Sequence, residues 1–186
     1  LEAARTDKTK ILVLNSPSNP TGMIYSREEL LAIGNWAVAH DVLILADDIY
    51  GRLVYNGNEF VPISSLSEAI RKQTIVINGV SKAYAMTGWR VGYAVGNPEI
   101  IAAMSKLTGQ TTSNLTAVSQ YATIEALTGP QDSVETMRQA FEERLNTIYP
   151  LLCQVPGFEV VKPQGAFYLF PNVKKAMEMK GYTDVT

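Results

Sequence analysis

Four side chains in this sequence combine types and positions that suit chemistry on a carbonyl compound. Asn19 follows a short apolar run at 11–14, Asp47 closes a second at 42–46, and Lys82 follows a third at 74–78. Arg90 immediately precedes a fourth run at 91–95. An amine is a nucleophile toward carbonyl carbon. A carboxylate holds a proton on a ring nitrogen through a charge-assisted hydrogen bond, and a guanidinium grips phosphate with a fork of donors. Taken singly, each residue has a plainer use: Lys82 solvated, Asn19 in a turn before Pro20, Arg90 paired with an acid.

The elements that carry them decide whether they meet. Short β-rich runs alternate with longer segments of helical period, which predicts an α/β fold: a mainly parallel sheet with helices on both faces. Runs 11–14, 42–46 and 74–78 are nearly all apolar, as central strands buried on both faces are. In a parallel sheet the residues after them share the carboxyl edge, where open α/β sheets bind ligands. Only eight residues separate Lys82 from run 91–95, too few for a parallel crossover, so that strand is expected to run antiparallel. Arg90 then joins the same edge. Pyridoxal phosphate has a group for each function: an aldehyde, a pyridine nitrogen and a phosphate.

Helix signals fill the intervals. Ser26 with Glu29 forms a capping box ahead of Leu30, Ile33 and Ala37. Asn97-Pro98 caps a helix to about Leu107, and another runs from about Leu115 to the Gly129-Pro130 stop. That stop is the expected boundary between units 1–130 and 131–186. A long amphipathic helix is predicted from Asp132 to about Gln154 through Met137, Phe141, Leu145, Ile148 and Leu152, with a bend or break at Pro150. Residues 158–161 and 166–170 read as two strands of a second sheet, followed by the start of a helix at Lys174. Asp48, after its strand, is expected to cap a helix, Trp36 and Trp89 to pack, and His40 to lie on the surface.

Composition narrows the function. Sixteen basic and 18 acidic residues, spread without single-sign blocks, argue against nucleic acid or an anionic membrane as partner. One cysteine, Cys153, and one histidine, His40, exclude an intramolecular disulfide and His-pair zinc motifs, so no metal site is expected. No membrane-length apolar run or signal peptide is visible, which fits a cytoplasmic setting. Asn114-Leu115-Thr116 reads as a chance match to a glycosylation acceptor.

Three segments carry a family resemblance: Asn15-Ser16-Pro17-Ser18-Asn19-Pro20-Thr21-Gly22, Ala46-Asp47-Asp48-Ile49-Tyr50, and Ser81-Lys82-Ala83-Tyr84-Ala85-Met86-Thr87-Gly88-Trp89-Arg90-Val91-Gly92-Tyr93. In order and spacing they resemble the cofactor signatures of pyridoxal-phosphate-dependent class I aminotransferases of fold type I, nearest the bacterial aspartate and aromatic branch. The likeness extends to the GAFYLFPN segment. It implies that Lys82 forms the Schiff base with the cofactor and moves the proton, that Asp47 pairs with the pyridine nitrogen, that Tyr50 and Asn19 bond the phenolic oxygen, and that Arg90 holds the phosphate. Serine usually stands three residues before the lysine as a further phosphate ligand; here it is Gly79, with Ser81 as a candidate substitute. The resemblance also implies a cis Asn19–Pro20 bond and a homodimer acting on an amino acid, aspartate or aromatic, and a 2-oxo acid such as 2-oxoglutarate. Residues 1–130 would be the C-terminal part of the large cofactor-binding domain and 131–186 a linking helix with the beginning of a small α+β domain. Family members are longer, so the chain reads as a fragment, inactive alone. A carbon–sulfur lyase and a cofactor-sensing domain of a transcriptional regulator are the alternatives.

Overall fold

The computed structural model describes residues 1–184. Four strands form one sheet in the order β1 (Ile11–Asn15), β2 (Leu43–Asp47), β3 (Thr74–Gly79), β4 (Gly92–Val95). The first three are parallel and β4 is antiparallel to β3, as the short connection required. The register pairs Asn15 with Asp47, Asp47 with Ile77, and Gly79 with Gly92. The carboxyl ends of three strands and the start of the fourth therefore lie along one edge.

Between β1 and β2 runs α1 (Arg27–Ala39), entered through the complete Ser26/Glu29 capping box. With α2 (Glu68–Gln73) it covers one face of the sheet. Leu14, Ile44 and Ala46 point into that layer against Leu30, Ala37, Ile63 and Ile70, all buried. Trp36 is partly buried against this core, and its indole donates to Glu2 at 2.8 Å. His40 is on the surface, 3.2 Å from the same carboxylate. On the other face of β1, Ile11 and Val13 are 53% and 65% exposed among the described residues.

Beyond the sheet come α3 (Pro98–Thr111), α4 (Ala117–Thr128), α5 (Asp132–Cys153) and α6 (Lys174–Lys180). Asn97 caps α3, which runs four residues past the expected end, and Thr116 caps α4, which stops before Gly129. Pro150 does not break α5. It lies in the last turn, where little of the helix remains to be disrupted by the missing donor.

A second core joins α5 to the turn after β2. Tyr50, Leu53, Tyr55, Leu145 and Ala166 are buried together, with Met137, Phe141, Tyr168 and Leu169 against them. Met137, Phe141 and Leu145 recur at four-residue spacing, one face of the helix. Arg138 on α5 fixes the contact by donating to the Val54 carbonyl at 3.2 Å while paired with Glu135 and Glu142.

The second sheet expected at 158–161 and 166–170 does not form. The backbone there has other partners: Ala166 N–H donates to Leu53 O, Gln164 O accepts from Tyr55, and Gln164 and Gly165 both donate to Gly22 O, at 2.9–3.0 Å. Residues 158–161 contribute only an isolated bridge, Glu159 with Asn172. Among the described residues no helix is long and apolar enough to cross a membrane.

Gly22 has φ +69°, and a Cβ there would fall 2.5 Å from the Pro163 Cβ and 2.7 Å from the Gly165 carbonyl. Gly22→Ala is expected to lower unfolding stability by about 1–3 kcal/mol, through overpacking and left-handed strain. Gly109→Ala, in α3 with open space around it, is expected to raise it by about 0.5–1 kcal/mol. Denaturant titration measures both, and equal effects would contradict the proposed interlock at Gly22.

Candidate active site

The loop after β1 is held by Asn15, the last residue of the strand. Asn15 Oδ1 accepts from the Asn19 N–H at 2.7 Å, while its Nδ2 donates to the Asp47 carbonyl at 3.3 Å. One side chain thus ties the Asn19 loop to the end of β2. Both Ser16–Pro17 and Asn19–Pro20 are cis, the second as expected from the resemblance.

Asp47 ends β2. Strand alternation buries Ile44 and Ala46 beneath the helices and turns Asp47 to the opposite face, where its Oδ1 accepts from Ile49 N–H at 3.3 Å. Tyr50 follows in a turn and is 3% exposed. Its hydroxyl lies 2.5 Å from that of Tyr168, and the Asn19 side chain is near enough to act on it. Burial raises the Tyr50 phenol above its ordinary value, as do the Tyr168 contact and the Asp47 charge, while Asn19 acts in the opposite sense.

Lys82 stands in the turn after β3, half-buried. Its Nζ lies 5.9 Å from the Tyr50 ring centroid and 5.7 Å from that of Phe167, so two aromatic faces flank the amine. Phe167 also meets the Tyr50 ring edge-on at 5.4 Å. Phe167 and Tyr168 were not singled out in the sequence; their only signal was membership of the GAFYLFPN segment.

Asn19, Asp47, Tyr50 and Lys82 are therefore linked by contact or by charge. Arg90 is at the same sheet edge but touches none of the four among the described residues. It is exposed, in a left-handed conformation (φ 56°), with Nη1 donating to the Thr87 carbonyl at 2.8 Å. The remaining guanidinium donors are open to an oxyanion. Gly79 has a structural reason: a Cβ there would lie 2.8 Å from the Val91 carbonyl, so the serine common at this position would require the backbone to shift. Ser81 is half-buried beside Lys82.

Two expectations need correction. Asp48 caps no helix, because residues 49–52 form turns. It is instead 8% exposed and lines a cavity of about 250 Å³ with Arg52, Phe60 and Asn78. Trp89 is not a packing residue: it is 43% exposed, and its carbonyl accepts from Ser119 on α4.

An amine, a carboxylate, a phenol with an amide and a guanidinium along the carboxyl edge of a mixed α/β sheet make a donor set that fits pyridoxal phosphate. The class these features define is the aminotransferases of class I and II, and the chain belongs to that family, whose model matches residues 1–184. Among particular relatives, an asparagine–oxo-acid transaminase of Streptococcus mutans is 80% identical over the whole chain and 47% of its own length. An aspartate aminotransferase of Bacillus sp. strain YM-2 is 59% identical, again over 47% of its length. The crystal structure of the Rhizobium meliloti aspartate aminotransferase superposes with a TM-score of 0.90 at 40% identity, covering 94% of this chain and 44% of that one. The chain spans about half the length of the curated relatives it matches.

Burial first, and the Asp47 charge second, push the Asp48 carboxyl up from 3.8 to about 7. The folded state thus binds this proton more tightly than the unfolded one. The associated stabilisation is complete below about pH 4 and is lost as pH rises to about 7, at up to about 1.4 kcal/mol per pH unit. Asp48→Asn is therefore expected to gain melting temperature relative to the parent between pH 5 and pH 8. Parallel pH profiles for the two proteins would show that Asp48 does not titrate in this range.

Proposed function

We propose that the intact protein uses pyridoxal phosphate to transfer an amino group from an amino acid to a 2-oxo acid. The observation that carries this reading is the Lys82 amine held beside Tyr50, a tyrosine that also feels the Asp47 charge and the Asn19 amide. Bound at this edge, the cofactor supplies a conjugated ring that takes up the electron pair left when a substrate Cα–H bond breaks.

The chain's own residues divide the remaining work. Lys82 Nζ would hold the cofactor through its aldehyde carbon, and its amine would be the base placed to take the proton from the substrate α-carbon. Phe167 and the Tyr50 ring restrict water around that amine. Asp47 keeps a proton on the ring nitrogen through a charge-assisted hydrogen bond. Asn19 and Tyr50 offer donors to the phenolic oxygen, and Arg90 offers its open donors to the phosphate, with Ser81 next to the amine as a second polar group.

For the donor we propose aspartate or its amide, with 2-oxoglutarate as acceptor. The 80% identical relative is named for asparagine and those at 54–59% for aspartate. An aromatic donor has weaker support, from a Pyrococcus horikoshii aromatic aminotransferase structure at 35% identity. We also propose a division near residue 130 into a cofactor-binding part and a linking helix with a smaller domain, a homodimeric assembly and a cytoplasmic location.

Lys82→Ala in the intact protein is expected to abolish the visible absorption of bound cofactor and to cut transfer from aspartate or asparagine by about 10³-fold or more. Spectral titration and a coupled assay read the two effects. Retention of both by the variant would refute the assignment, and pyruvate and ammonia released without any 2-oxo acid would favour a lyase instead.

A further inference from the structure

Tyr50 and Tyr168 are 118 residues apart in sequence, yet their hydroxyls meet at 2.5 Å. The segment that delivers Tyr168 is locked to both neighbouring parts of the site. Its backbone at Gln164 and Ala166 exchanges hydrogen bonds with Leu53 and Tyr55, in the stretch that carries Tyr50. The Tyr55 hydroxyl adds a bond to the Ala166 carbonyl. Gln164 and Gly165 donate to Gly22, in the loop that carries Asn19. Tyr168 is thus held in register with the two residues assigned to the cofactor's phenolic oxygen.

A phenol has one proton to give and two lone pairs to offer. At Tyr50 the Asn19 amide is near enough to donate to one lone pair, leaving the proton and a second lone pair. If Tyr50 donates to Tyr168, its proton is spent within the protein. If Tyr168 donates to Tyr50, the Tyr50 proton is free to point outward. Either oxygen of the pair can be the donor. We propose that Tyr168 is a positioning residue: by donating to the Tyr50 hydroxyl when cofactor is bound, it directs the Tyr50 proton to the cofactor's phenolic oxygen. Hydrogen bonds in such a chain polarise one another, so Tyr168 also makes Tyr50 the stronger donor.

This inference rests on the pyridoxal phosphate reading above and has a spectroscopic consequence. A stronger donor at the phenolic oxygen draws negative charge away from it. That oxygen then attracts the proton on the neighbouring nitrogen, contributed by Lys82, less strongly. Tyr168 therefore holds the protonation midpoint of the bound cofactor's visible absorption lower than it would otherwise be.

The test is a pH titration of that absorption in the intact, cofactor-loaded protein, with wild type, Tyr168→Phe, Tyr50→Phe and the double variant. Tyr168→Phe keeps the ring and its edge contact with Tyr50 while removing the hydroxyl. It is expected to raise the midpoint by about half to one pH unit, the size one hydroxyl hydrogen bond supports. Tyr50→Phe is expected to raise it at least as far, and adding Tyr168→Phe to that variant to move it no further. An unchanged midpoint in Tyr168→Phe, whatever happens to its melting temperature, overturns the inference and leaves the cofactor assignment intact. Additive shifts in the double variant overturn it too, because Tyr168 would then act by another route. A wild-type protein with no visible band overturns the cofactor reading and this inference together.

Discussion

Everything at this site depends on the hydrogen-bond register of three parallel strands. Pairing Asn15 with Asp47 and Asp47 with Ile77 sets the ends of β1, β2 and β3 level, so the loops that follow leave from one edge. Side chains alternate between faces along each strand, and a slip by one residue would turn Asp47 under α1 and α2. What prevents the slip is apolar burial on the helix side: Leu14, Ile44 and Ala46 are packed with Leu30 and Ala37. The face that carries the candidate site is thus specified by residues on the opposite one.

A second constraint closes the site from a distant part of the chain. Residues 164–166 spend their backbone hydrogen bonds on Leu53, Tyr55 and Gly22 rather than on a strand pair of their own. This makes α5 and the segment after it part of the cofactor edge, since Tyr168 and Phe167 arrive with that backbone. Glycine at 22 and 165 permits the approach, because a Cβ at either would meet backbone or proline atoms at 2.5–2.8 Å. The two cores therefore meet at the turn carrying Tyr50, which belongs to the second while following directly from the first.

Local rules reach some of this architecture and stop short of the rest. Strand positions, the antiparallel return of β4, the Ser26 capping box and the end of α4 before Gly129 follow from apolar runs, connection length and capping chemistry, all encoded within a few residues. That Asn19, Asp47, Lys82 and Arg90 share one edge was legible from strand order and connection length, whereas Tyr50 was reached only through the family resemblance. Asn15 was hidden, being the last residue of a strand whose role is to bond two backbone groups. Tyr168 was hidden for a different reason: its partner is 118 residues away, and no periodicity records such a contact. The second sheet failed as an expectation because two β-rich segments say nothing about which backbone they will pair with. Asp48 was misread because a carboxylate after a strand is a common helix cap, and only the structure shows turns where a helix was expected.

The adjacent acids Asp47 and Asp48 show how the fold divides one chemistry between two neighbours. Alternation sends them to opposite faces, and Asp48 N–H extends the ladder by donating to Ile77 O at 2.9 Å. Asp47 emerges toward Tyr50, where its charge is felt by the phenol. Asp48 is enclosed among Ile49, Phe60 and Ala83, and burial makes its charged form costly. Burial thus keeps the Asp48 proton up to about pH 7, while Asp47 lies on the Tyr50 side of the sheet. Strand pleating therefore decides which of the two acids is enclosed and which emerges on the side where the proposed cofactor would bind.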